Sequence, residues 1–74
     1  MICALIGTSK FAEVHLSQLI KIGAKELALI SRDIDKSEKI CVKFKKKFPN
    51  IAIYPSKITI LKKKKFDLID ICSA

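Results

Sequence analysis

Four short apolar runs, at residues 2–6, 26–30, 51–54 and 66–72, alternate with segments whose apolar residues recur at helical spacing. Strands separated by helices return to one sheet through crossovers, and crossovers between parallel strands are right-handed. The order β-α-β-α-β-(α)-β therefore predicts an α/β chain forming half of a doubly wound parallel sheet, with strand order 3-2-1-4. Strand one is then central. Strand four lies beside it across the switch point, where ligands of such sheets bind at the carboxyl ends of the strands.

Each element has a local cause. Ala12, Leu16, Leu19 and Ile20 fall at i, i+4, i+7 and i+8, which marks a helix from about Lys10 to Ile22 that Gly23 ends. The run at 26–30 is almost wholly apolar, as expected of a parallel strand covered on both faces. Asp35 with Glu38 three residues on reads as the start of a second helix. Ile40, Cys41, Phe44 and Phe48 supply its apolar stripe, and Lys36, Lys39, Lys43, Lys46 and Lys47 its other face. It stops before Pro49. Strand three, Ile51 to Tyr54, is bounded by Pro49-Asn50 and Pro55-Ser56. Lys57 to Lys65 is read as a short helix with lysines at its negative end, although the β-branched run Ile58-Thr59-Ile60 also tolerates a strand.

The junction between the first strand and the first helix carries the clearest functional signal. Gly7-Thr8-Ser9-Lys10-Phe11-Ala12 follows directly on the apolar run Ile2 to Ile6. A glycine can turn sharply there, and the helix then offers unpaired N–H groups and the positive end of its dipole to a pyrophosphate. The dinucleotide fingerprint is G-x-G-x-x-G/A, and this chain has G-x-S-x-x-A. Ser9 brings a hydroxyl that can donate to phosphate and a Cβ that takes space a glycine leaves free.

Composition narrows the alternatives. A single small domain of 74 residues buries only about 60% of the surface its unfolded chain exposes. No run approaches the roughly 20 apolar residues of a membrane span, and Met1 to Ile6 lack the basic start of a signal peptide. The expected location is the cytoplasm. Fourteen of fifteen basic residues are lysine, beside thirteen isoleucines, a pairing that AT-rich coding produces. The single arginine argues against a dedicated nucleic-acid reader despite the +8 charge. Cys3, Cys41 and Cys72 form no C-x-x-C and accompany one histidine, so they read as buried reduced thiols, not as a metal or redox site.

In the order and spacing of these motifs the chain resembles the N-terminal NAD(P)-binding Rossmann domain of the Gfo/Idh/MocA oxidoreductases. The resemblance spans all 74 residues. It is carried by the opening strand with Gly7 to Ala12, by His15-Leu16, by Ser31-Arg32-Asp33 and by Ile53-Tyr54. The closing Phe66-Asp67-Leu68-Ile69-Asp70-Ile71-Cys72-Ser73-Ala74 completes it, with Ser73-Ala74 where the family usually has Thr-Pro. The resemblance implies cofactor contacts from Gly7, Thr8, Ser9, Lys10, Phe11, Ser31, Arg32 and Ser73. Members transfer hydride to or from sugars and polyols, and their catalytic residues lie beyond the matching region. The expectation is thus a dinucleotide-binding piece from a truncated or split gene, without a catalytic or substrate domain and not catalytic alone.

Ser31 stands where NAD-preferring relatives place an acid for the adenosine ribose. Its neutrality removes repulsion against a 2′-phosphate, and Arg32 can bind that phosphate, which implies a preference for NADP over NAD. The other reading makes Arg32 a solvated cation and Asp33 the ribose acceptor. His15 is expected to be a packed or partner-bonded helix residue. Asp67 is expected at the surface, where strand four begins, and Asp70 needs partners that the sequence does not identify. Lys62 to Lys65 read as solvated. An open edge at strand four invites another chain to complete the sheet. The competing functional reading is a small basic module whose lysine faces bind nucleic acid or acidic partners.

Overall fold

The computed structural model describes residues 1–72. Its elements are β1 (Ile2–Ile6), α1 (Ala12–Lys21), β2 (Glu26–Ile30), α2 (Ile34–Lys47), β3 (Ala52–Ser56), α3 (Ile60–Lys63) and β4 (Leu68–Ile71). All four strands are parallel, in the order β3-β2-β1-β4. The fold is the expected half of a doubly wound sheet.

Because successive side chains point to opposite faces, each inner strand feeds two cores. Cys3 and Leu5 of β1, Leu27 and Leu29 of β2 and Ile53 of β3 pack with Leu16 and Leu19 of α1 and Cys41 and Phe44 of α2. On the other face Ala4, Ala28 and Ile30 pack with Tyr54, Ile60, Leu61 and Phe66. That double cover explains why β1 and β2 read as unbroken apolar runs. At β4 the second cover stops, and Ile69 and Ile71 are 49% and 65% exposed. Asp67 anchors the start of this strand: its carboxylate accepts the Ile2 N–H at 2.7 Å, and its own N–H donates to the Ile2 carbonyl at 2.8 Å.

Several boundaries differ from expectation for identifiable reasons. The N-cap of α2 is Asp33, not Asp35: its Oδ1 accepts the Lys36 N–H at 3.1 Å. Asp35 lies in the first turn, where a carboxylate still suits the helix dipole. Pro55 sits inside β3 instead of ending it, because β3 is an edge strand and a missing N–H on its outer side breaks no ladder. The third helix is a single turn, and the β-branched stretch before it forms turns. Gly23 ends α1 as expected, at φ +111°, with its N–H on Ile20 O and that of Ala24 on Leu19 O. All three cysteines are free and buried.

Candidate functional site

At the carboxyl ends of the strands a cleft of about 720 Å³ opens between the β1–α1 turn, the β2–α2 turn and the segment after β3. Gly7, Ser31 and Arg32 line it, with Lys57 as a second cation. Ile6, Ile30, Ile34 and Ile58 make its apolar walls. Parallel strands with crossovers bring these separate loops to one end of the sheet.

Gly7 is fixed by its surroundings. Its φ is +114°, its N–H donates to Ile30 O at 2.8 Å, and a Cβ there would lie 2.1 Å from the carbonyl oxygen of Cys72. The Cys72 N–H in turn donates to Ile6 O at 2.8 Å. The glycine therefore allows the ends of β1, β2 and β4 to converge, whether or not a ligand is bound.

The hydroxyls of the two turns are linked. Thr8 Oγ1 and Ser31 Oγ are 3.1 Å apart, and Ser31 Oγ also accepts the Asp33 N–H at 3.1 Å. Ser9 faces β4: its Oγ lies 3.0 Å from Cys72 Sγ and accepts the Phe11 N–H at 3.4 Å. Lys10 and Phe11 stand exposed at the start of α1, with the ammonium 5.2 Å from the ring centroid. Phe11 is the N-cap and makes no side-chain cap bond. Among the described residues no acceptor takes the N–H of Thr8, Ser9 or Lys10. These donors precede the first turn of α1, where the helix dipole has its positive end. Thus Gly7, Ser31 and Arg32 meet in the cleft and Thr8 joins them through Ser31, whereas Ser9, Lys10 and Phe11 are not brought into its lining: Ser9 turns to Cys72, and Lys10 and Phe11 stand exposed. Ser73 lies outside the described residues.

Ile6 and Ile30 at the strand ends also line the cleft beyond the expected residues, and so do Ile34, Lys57 and Ile58. For the last three the only signal was position, at the first turn of α2 and just past β3, because nothing in their types distinguishes them from surface or core. The reading of the residues alone also left Asp70 without a partner. The structure supplies one: His15 Nδ1 is 2.7 Å from Asp70 Oδ2, tying α1 to β4 across 55 residues of sequence. This pair lies under the α1 side of the sheet, not in the cleft, and confirms His15 as a partner-bonded helix residue.

At the amino end of the sheet Glu26 receives the Tyr54 hydroxyl at 2.7 Å and pairs with Lys64. The hydrogen bond from Lys64, then that from Tyr54, holds the Glu26 carboxyl below its ordinary range. Burial first, and the Glu26 carboxylate second, push Tyr54 up to about 12. Burial likewise raises Cys41 to about 11 and Cys3 above its usual value, so neither thiol is a ready nucleophile at neutral pH. Among the described residues no group of three or more His, Cys, Asp or Glu is placed to hold a metal ion. Among the same residues no helix is long and apolar enough to cross a membrane.

Comparison with protein-family models finds no match, and comparison with curated proteins finds none either.

Proposed function

We propose that the chain binds a dinucleotide, NADP in preference to NAD, in the cleft at the carboxyl ends of its strands. In this reading it is the N-terminal part of a Rossmann-type dinucleotide-binding domain, similar to that of the Gfo/Idh/MocA oxidoreductases. The observation that carries the reading is the meeting in one cleft, at the carboxyl ends of the strands, of the Gly7 turn, Ser31 and the two cations Arg32 and Lys57, next to a turn into α1 whose N–H groups at Thr8, Ser9 and Lys10 have no acceptor among the described residues.

The residues present suit NADP. The pyrophosphate would lie over the Gly7–Phe11 turn, where backbone N–H groups face it. The adenosine would lie between Ile34 and Ile58, with Arg32 and Lys57 for a 2′-phosphate. The nearest carboxylate in the β2–α2 turn, Asp33, is engaged in capping α2, and Ser31 carries no charge. Among the described residues no carboxylate lines the cleft, so a ribose 2′-phosphate would meet none in its lining. When bound, a nicotinamide cofactor supplies hydride-transfer chemistry, and no residue of this chain is assigned a catalytic role.

Titration calorimetry of the purified chain with NADP and with NAD tests this. NADP is expected to bind about tenfold more tightly, and Arg32→Glu to erase the difference. NAD binding as tight as NADP removes the cofactor preference, and no saturable binding of either removes the reading.

A further inference from the structure

A second surface lies away from the cleft, on the outer side of the helical layer. Along α1, closed at one side by Phe48 at the C-cap of α2, runs a groove of about 520 Å³, lined by Val14, Ser17, Gln18, Ile20, Lys21 and Phe48. Its apolar content is open to water: Val14 is 52% exposed, although it lies on a helix that packs its other face fully.

Charge around this groove is one-sided. Lys21 lines it, Lys47 stands with its ammonium 6.0 Å from the Phe48 ring centroid, and Lys43 reaches across from α2 to Glu13 of α1 at 2.8 Å. Glu13 is the sole carboxylate of α1, and Lys43 already pairs with it. The acids of α2, Asp35 and Glu38, line the opposite flank of that helix with Lys39 and Val42. An apolar floor with a cationic rim selects apolar anchors flanked by carboxylates.

We infer that this groove docks an acidic amphipathic helix of a partner protein. The outer face of α1 with the Phe48 ring beside it leaves a furrow into which the side-chain ridge of another helix can pack, and helix-in-groove recognition reads apolar anchors at i, i+3, i+4 and i+7. A phosphate backbone would use the lysines but leave the exposed Val14 side chain without a partner, so the apolar floor favours polypeptide over nucleic acid. This proposal stands independently of the dinucleotide site.

The test uses the intact chain and a fluorescein-labelled peptide of about fourteen residues, with leucines at the four anchor positions and glutamates flanking them. Its control has lysine for every glutamate. Fluorescence anisotropy should show saturable binding of the acidic peptide, about tenfold tighter than of the control. Val14→Glu and Lys47→Glu should each weaken it about tenfold; both positions are exposed, so the urea midpoint is unchanged for Val14→Glu and falls only slightly for Lys47→Glu, which sets a carboxylate at the negative end of α2. Equal binding of both peptides overturns the proposal, as does indifference to Val14→Glu. Displacement of the peptide by an oligothymidylate overturns it in favour of a polyanion site. Self-association abolished by Val14→Glu overturns it in favour of a second copy in the groove.

Discussion

Replacing each of the two glycines by alanine separates two demands that a glycine can meet. Gly7 and Gly23 have nearly the same φ, +114° and +111°, so alanine meets the same class of backbone strain at both. That strain costs about 1–3 kcal/mol, offset by about 0.4–1 kcal/mol from the stiffer unfolded chain. At Gly23 nothing lies within 4 Å of the new Cβ, so Gly23→Ala should cost only that difference, about 1–2 kcal/mol. At Gly7 the Cβ would sit 2.1 Å from Cys72 O and 2.9 Å from Cys72 C, both backbone atoms that no rotamer change can move. Relief requires the ends of β1 and β4 to part by about 1 Å, since an ordinary C···O contact is about 3.3 Å. The Cys72 N–H bond to Ile6 O and the Gly7 N–H bond to Ile30 O, both 2.8 Å, are then weakened or lost. At about 1–3 kcal/mol for each buried group left unpaired, Gly7→Ala should exceed Gly23→Ala by about 2–4 kcal/mol. For a small domain stable by about 5 kcal/mol this is most of the margin. Urea denaturation followed by far-ultraviolet circular dichroism measures both. Equal midpoint shifts for the two variants would refute the reasoning, because the backbone contact at Cys72 would then carry no weight.

Two further outcomes follow from single side chains. Ser37 is fully buried in α2 and its Oγ has no hydrogen-bond partner among the described residues, so Ser37→Ala should stabilise the fold by about 1 kcal/mol, read as a higher urea midpoint. Tyr54 is held protonated by burial and by Glu26, with its pKa raised from 10.0 to about 12. Its stabilising contribution is therefore complete below pH 10 and declines as pH rises from 10 towards about 12, because only the unfolded chain gives up the proton in that interval. As the one tyrosine, it reports directly through tyrosinate absorbance: Glu26→Gln should move the native midpoint down, and a midpoint unchanged by that substitution refutes the coupling.

The architecture was readable in the sequence because its determinants are local and repeated. Apolar runs at 2–6 and 26–30 and stripes at helical spacing name the element types, and the handedness of crossovers turns their alternation into the order 3-2-1-4. Gly7 and Gly23 were identifiable as turn formers for the same reason: a position that needs positive φ selects its residue type by itself. The cleft was readable only at Gly7, Ser31 and Arg32, which border strand ends; Lys57 and Ile58 join it through the path of the chain after β3.

What the tertiary structure alone decided are choices between locally equivalent options. Asp33 and Asp35 are both competent caps, and the path of the β2–α2 turn, held by the Asp33 N–H bond to Ser31 Oγ, selects the first. Pro55 stays within a strand because β3 has an edge on which no donor is required. Asp70 finds His15 through the register that sets it opposite Leu5 beneath α1, a relation between residues 55 apart that no window of sequence contains. Local periodicity determines which elements form, since each residue's preference depends on near neighbours; partners and close approaches depend on where the chain returns, and that is a property of the packed sheet alone.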